Sequence, residues 1–297
     1  MPKQRIIACL ILRDDWVVQS IGFQRYLPVG RPEVAVRFLD EWGVDEIILL
    51  DISASHEGRS IRPETMARVS RVAHVPLTAG GGIRSVADVR QLISAGADKV
   101  AVNRLLHDDP AAVRAIGAHF GDQCVIASID ARRTSDGRWE VVTDGGQRPT
   151  GLSPDEFAYR AIHDMDAGEI LINSIDEDGR RQGYDLPLIE SVARAVHAPV
   201  IALGGAGTPV HVCDVLKVPN VAAAAVANML HYTEHSVAAI KSHLRQQDID
   251  VRLDSAADYR YAPVPNDGRL GKRDEAELRE LYFQHIPRET ISIRDLL

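Results

Sequence analysis

The strongest constraint on this chain is an alternation that repeats. Eight short apolar runs, each four to eight residues long, punctuate the first 230 residues: 6–12, 46–51, 75–78, 99–103, 124–130, 169–173, 199–203 and 221–227. Runs of that length rich in Ile, Val, Leu and Ala read as strands buried on both faces. Amphipathic stretches lie between and after them, at 32–42, 63–73, 85–95, 110–120, 155–166, 186–196, 209–216 and 234–244. Several open on a capping residue or a first-turn proline. Eight strand–helix units point to a (β/α)8 barrel, the TIM barrel, rather than an open doubly wound sheet.

The order also duplicates. Pro76-Leu-Thr-Ala-Gly80-Gly-Gly82 aligns with Val200-Ile-Ala-Leu-Gly204-Gly-Ala206, and Leu106-His107 aligns at the same spacing with Leu230-His231. Glu46-Ile-Ile-Leu matches Glu169-Ile-Leu, and Ile6-Ile-Ala-Cys-Leu-Ile11 matches Val125-Ile-Ala-Ser-Ile-Asp130. Two half-barrels of about four units each account for residues 1–250. Two segments fall outside this plan. Residues 132–150 are rich in turn formers around Trp139-Glu-Val-Val, which predicts a small hairpin. Residues 251–297 form a C-terminal extension, with one further helix expected over Lys272–His285.

Composition narrows the function. Forty-two acidic against 34 basic residues give a net charge of −8, which argues against nucleic acid as a partner. No run has the length to span a membrane, and the seven apolar residues from Ile6 lack the form of a signal peptide. Cys9, Cys124 and Cys213 are too few and too scattered for a disulfide framework, so a cytoplasmic setting is expected. Histidine and cysteine spacing shows no metal-ligand pattern, and no dinucleotide or P-loop fingerprint is present, so neither metal nor cofactor is expected.

In a (β/α)8 barrel the chemistry sits at the C-terminal ends of the strands. Asp130 closes its run there and is the leading proton-transfer candidate; the competing reading is a salt bridge to Arg132 or Arg133. Asp51, Asp176 and Asp178 are similar, though each could instead orient a loop. Gly80-Gly81-Gly82 and Gly204-Gly205-Ala206-Gly207 each open a helix. Backbone amides at such turns make anion sites, so two of them in opposite halves would hold a ligand with a phosphate at each end. Glycine at these places also simply permits tight turns; the recurrence at equivalent positions favours phosphate. Cys9 reads as a small core residue. At the opposite, N-terminal ends lie Arg5, Glu46, Lys99 and Glu169, which by physics alone read as a stabilising charged ring.

These residues resemble the cyclase subunit of imidazole glycerol phosphate synthase. The resemblance runs from Arg5 to about Val251 and rests on Arg5-Ile-Ile-Ala-Cys-Leu, Asp51-Ile-Ser-Ala-Ser, Ala79-Gly-Gly-Gly-Ile-Arg, Gly96-Ala-Asp-Lys-Val, Ser128-Ile-Asp, Asn173-Ser-Ile-Asp-Glu-Asp-Gly, Gly183-Tyr-Asp and Gly204-Gly-Ala-Gly. It implies a glutaminase partner at the bottom of the barrel, an interface at Asp98, and an ammonia gate of Arg5, Glu46, Lys99 and Glu169. It implies substrate and phosphate contacts at Gly81, Gly82, Asn103, Asp176, Asp178, Gly179, Gly204, Gly205 and Asn228, with Asp130 catalytic. Three departures stand out: Ile11 replaces the family's first catalytic aspartate, Gln19 a lysine of the loop that closes over substrate, and Asn228 a phosphate-binding serine. A divergent branch that supplies ammonia for surface-polysaccharide amidation shares the first of these. The resemblance thus implies a glutamine-amidotransferase synthase subunit of lyase type with ordinary histidine-pathway cyclisation in doubt. A cyclase in which Asp51 or Asp176 replaces the missing acid, and a non-catalytic ammonia conduit or scaffold, remain open alternatives.

Overall fold

A computed structural model describes residues 3–253 and Ala276. The expected helix over Lys272–His285 lies outside the described residues, Ala276 apart. The chain closes eight parallel strands into a barrel. In chain order the strands are β1 (Arg5–Arg13), the hairpin β2 (Trp16–Ile21) and β3 (Arg25–Gly30), β4 (Glu46–Asp51), β5 (Leu77–Gly80), β6 (Lys99–Val102), β7 (Val125–Arg133), β8 (Trp139–Thr143), β9 (Arg148–Pro149), β10 (Glu169–Ser174), β11 (Val200–Leu203) and β12 (Val221–Val226). The barrel order is β1-β4-β5-β6-β7-β10-β11-β12, and β12 returns to β1 in the register Arg5↔Ala223 through Ala8↔Val226. The expected (β/α)8 architecture is the observed one.

The helices are α1 (Pro32–Glu41), α2 (Pro63–Ser70), α3 (Val86–Ser94), the short α4 (Arg104–Asp108), α5 (Pro110–Phe120), α6 (Pro154–His163), α7 (Leu186–Ala195), α8 (Pro209–Leu216) and α9 (Ser236–Gln246). Ser85, Asp109, Asp185 and Thr208 cap their helices through the side chain. Each accepts from a backbone N–H that the helix itself leaves unpaired. Each half-barrel also carries the same two additions. A strand pair follows the first barrel strand (β2–β3 after β1, β8–β9 after β7), and a short helical turn precedes the last helix (α4, and a 3-10 turn at Asn228–His231).

The hairpin expected around Trp139 is present: β8 pairs antiparallel with β7 from Asp130↔Val142 to Arg133↔Trp139. The hairpin β2–β3 was not anticipated. Asp14 and Asp15, both at positive φ, make the turn that folds β2 back on β1. One strand is displaced from expectation. The run at 75–78 becomes Leu77–Gly80, because Gly80 belongs to the barrel wall rather than to a turn. A side chain there would begin 2.5 Å from Leu50 Cδ2 and 3.1 Å from the Ala101 Cβ.

Burial follows the alternation of the strands. Odd positions of β1 (Ile7, Cys9) join Ile48, Ala101, Ile126, Leu171, Ile201, Ala223 and Ala225 inside the barrel. Even positions (Ile6, Ala8, Leu10, Leu12) face the helices in the larger outer core. The barrel is therefore a packed interior with a floor and a mouth. Among the described residues, no helix is long and apolar enough to cross a membrane.

Candidate functional site at the barrel mouth and floor

A cavity of about 770 Å³ opens at the C-terminal ends of the strands. Asp130, at the inner face of β7, is its centre of polarity. Asn103 donates from Nδ2 to Asp130 Oδ2 at 3.0 Å, and Asn173 donates from Nδ2 to Asp130 Oδ1 at 2.9 Å. The competing salt bridge does not form: Arg132 donates to the Gly146 carbonyl and Arg133 pairs with Asp185. Two neutral donors satisfy the carboxylate's geometry without neutralising its charge. Burial, helped by the field of Asp178, pushes the Asp130 carboxyl up to about 6, against the hydrogen bonds from Asn173 and Asn103. A carboxyl tuned toward neutrality in a cleft suits proton transfer.

Opposite Asp130 the wall is apolar. Ile11, Leu50, Leu203 and Ala227 line it, so the place where a second acid would stand is occupied by a branched alkyl group. Cys9 lies in the layer below, is 1% exposed, and its thiol is pushed up to about 12, mainly by burial. It is a core residue, as its sequence context suggests.

The remaining acids are engaged. Asp51 accepts Arg59 Nη1 at 2.5 Å and the Ser53 N–H at 3.0 Å. Asp176 accepts the Arg133 N–H at 2.7 Å. Asp178 accepts Ser20 Oγ at 2.7 Å and the Phe23 N–H at 3.2 Å, and burial holds its carboxyl above the usual range. Each of these carboxylates ties down a loop around the mouth. Arg59, which sequence reasoning did not single out, lines the cavity beside Asp51, and its Nη2 is buried without a partner. Its only signal in the sequence was an arginine eight residues after a strand-end aspartate.

The two glycine turns differ. Gly81 and Gly82 line the cavity at positive φ, with Arg84 and Arg104 beside them. Gly204 and Gly205 also have positive φ, but both are buried and neither lines the cavity. Asn228 does not line it either. Its amide is spent on Ser20, donating to the Ser20 carbonyl at 2.6 Å and accepting the Ser20 N–H at 3.2 Å. Gly179 packs under the same hairpin, close to Ser20 and Ile21. Gln19 is half-buried within the hairpin, opposite Leu27.

At the floor, the first residues of β1, β4, β6 and β10 meet in a closed ring. Arg5 bridges Glu46 (2.6 Å) and Glu169 (2.8 Å), and Lys99 bridges the same two glutamates at 3.3 and 2.6 Å. Glu46 and Glu169 are nearly buried. Glu169 is held below its ordinary range: burial opposes this, but the bonds and charges of Arg5 and Lys99 outweigh it. Asp98, exposed at the same end, accepts the Leu77 N–H at 2.8 Å.

The fold and site together define a half-repeated (β/α)8 barrel with a polar mouth and a charged floor. Residues 5–236 match the family model described as histidine biosynthesis protein, and the chain belongs to that family.

Proposed function

We propose that this chain is the synthase subunit of a glutamine amidotransferase, similar to the cyclase subunit of imidazole glycerol phosphate synthase. In this reading a separate glutaminase docks on the floor around Asp98 and passes ammonia through the ring. The substrate is a small phosphorylated molecule in the mouth, held by the Gly81–Gly82 turn, since the Asn103 amide is spent on the Ser128 carbonyl and Asp130. The observation that carries the reading is the closed ring itself. Four charges at the starts of four different strands, each cation shared between both glutamates, make a plug that one side-chain movement can open.

Asp130 exchanges the protons of the reaction at its carboxyl oxygens. Asn103 and Asn173 hold that carboxyl in place, and the apolar wall excludes water from ammonia and its acceptor. Ile11 contributes packing but no proton. Losing one partner of an acid–base pair typically costs about 10²–10⁴-fold in rate, so the histidine-pathway cyclisation is expected to be severely impaired. That same residue favours a second reading, in which the barrel delivers ammonia to another protein without transforming a substrate itself.

The test combines the chain with a glutaminase from the same cell and follows glutamine hydrolysis and ammonia incorporation. Stimulation of the glutaminase, and its uncoupling by Lys99→Ala with ammonium-dependent activity preserved, is the expected result. Glutamine-dependent activity untouched by Lys99→Ala would sink the proposal. Assay with the phosphoribulosyl aminoimidazole carboxamide substrate and ammonium salt separates the variants: turnover appearing only in Ile11→Asp marks lost cyclisation. Turnover in the unaltered chain that dies in Asp130→Asn marks a true cyclase.

A further inference from the structure

The two half-barrels meet at two equivalent junctions, and these are built differently. The spacing that sets Leu106-His107 against Leu230-His231 continues along the last helix of each half. It matches Val113, Ala115, Ile116 and His119 of α5 with Val237, Ala239, Ile240 and His243 of α9, and sets Gly117 against Lys241. The match of Glu46 with Glu169 likewise sets Asp45 against Gly168. At one junction, then, both positions are glycine. A side chain at Gly117 would begin 3.1 Å from Asp122 Oδ1, and one at Gly168 would begin 2.5 Å from the Asp122 carbonyl oxygen. At the other junction stand Lys241 and Asp45, 1% and 6% exposed, with Lys241 Nζ donating to Asp45 Oδ1 at 2.7 Å. Taking two charges out of water is costly, and apolar packing commonly serves stability as well. The glycine junction shows that this barrel closes without such a pair.

What separates the junctions is the ring cation beside them. Asp45 directly precedes Glu46 and holds Ile6, which directly follows Arg5. The Ile6 N–H donates to Asp45 Oδ2 at 2.7 Å, and the Asp45 N–H donates to the Ile6 carbonyl at 2.9 Å. The Ile6 N–H belongs to the peptide that leaves Arg5. These bonds therefore fix the direction in which the Arg5 side chain sets out toward Glu46 and Glu169. At the glycine junction only the backbone bond is kept, from the Gly168 N–H to the Val125 carbonyl at 2.9 Å. The match of Ile6 with Val125 sets Cys124 against Arg5, so that junction has no cation to aim.

We infer that Lys241 and Asp45 are positioning residues of the floor ring. Lys241 anchors the Asp45 carboxylate from α9, and Asp45 holds the Arg5–Ile6 peptide against the start of β4, where Arg5 can span both glutamates. A shift of α9 is thereby passed to the ring through one buried pair. The ring's role as an ammonia gate rests on the proposed function; its positioning by this pair does not.

The test follows the Glu169 side-chain carboxyl by carbon-13 NMR titration in the full chain and in Asp45→Ala/Lys241→Met. The double variant removes one charge of each sign, so it strands neither charge and changes the net field at the ring little. Asp45→Leu/Lys241→Met, closer in volume, takes its place if near-ultraviolet circular dichroism shows that the first does not fold. In the parent, Arg5 and Lys99 hold Glu169 below its ordinary range. With Arg5 no longer aimed, the Glu169 midpoint should rise by about half a pH unit or more. In the glutaminase assay the same variant should lose coupling, as Lys99→Ala does. A folded variant whose Glu169 titrates as in the parent overturns the inference, because a pair that served packing alone would leave that midpoint unmoved. A moved midpoint with coupling intact, while Lys99→Ala uncouples, overturns it as well. If Lys99→Ala itself leaves coupling untouched, the proposed function falls, and the Glu169 midpoint alone decides whether the pair positions the ring.

Discussion

Asp130→Asn makes the sharpest demand on the site. The carboxyl titrates near 6 in the folded chain, and near 3.9 when unfolded. Because the folded pKa is the higher, the folded chain holds one more proton than the unfolded chain between those values. Stability therefore falls as pH rises through that window, by about 1.4 kcal/mol per pH unit. The accumulated loss approaches about 3 kcal/mol by pH 7. The asparagine variant carries no such penalty. It instead leaves one of the two amide donors, Asn103 or Asn173, facing another donor, a cost of about 1–3 kcal/mol that does not vary with pH. Urea unfolding of both proteins at half-unit steps from pH 4 to 7.5 isolates the pH-dependent part. The stability of Asp130→Asn relative to the parent should climb by about 2–3 kcal/mol over that range and then level off. A flat difference would show that Asp130 is solvated like an ordinary aspartate, and the case for it as the tuned proton-transfer group would fail.

Four further outcomes follow from other parts of the barrel. Lys99→Met should leave Glu46 and Glu169 served by Arg5 alone, lowering stability by about 3 kcal/mol or less in denaturant titration, with glutamine-dependent activity lost first. Glu169 is depressed, so its stabilising share is present above the unfolded pKa and lost as pH falls through the folded one; acid titration of the parent should show this step and Glu169→Gln should not. Lys241 is 1% exposed and bonds Asp45 Oδ1 at 2.7 Å, so Lys241→Met, which removes the buried carboxylate's counter-charge and leaves it only the Ile6 N–H at Oδ2, should cost about 3–5 kcal/mol. Gly81→Ala places a Cβ against the Asp51 carbonyl at a φ of +111°, and should both lower the thermal midpoint and weaken phosphate binding.

The barrel was legible because its signal is local and repeated. Runs such as Glu46–Asp51 are set by composition alone and fall where the structure has them. Gly80 misled for a tertiary reason: its lack of a side chain serves Leu50 and Ala101 across the wall, and only the closed sheet reveals those neighbours. The β2–β3 hairpin escaped because its strands alternate weakly, with β3 exposed along most of its length. Asp130 could be ranked first as a strand-end carboxylate, yet its actual partners, Asn103 and Asn173, come from strands on either side of it. Nothing in the local sequence distinguishes an asparagine that bonds a catalytic carboxylate from one that caps a turn. Asn228 shows the same limit in reverse, since its position matches a phosphate-binding residue while its amide is consumed by Ser20, some 208 residues earlier.

Duplication makes these failures and successes parts of one pattern. A repeated half-barrel begins with equivalent groups at equivalent places, so any functional ligand must be met by two copies of everything. Here the copies have parted. The first half keeps its rim cations, Arg84 and Arg104, and has Ile11 where the second half has Asp130. The second half keeps the acid and has Thr208 and Asn228 where the first has charge. On the proposed function, one half supplies the rim cations and the other the proton-transfer group. A ligand that meets both must reach across the barrel axis, directly above the column that ends at the Arg5–Glu46–Lys99–Glu169 ring. Ammonia rising along that axis would arrive between the gripped phosphate and Asp130, at the middle of such a ligand rather than at either end. The electrophilic carbon is thus expected several bonds from the phosphate, and phosphate esters whose reactive carbon is the ester carbon itself should bind without reacting.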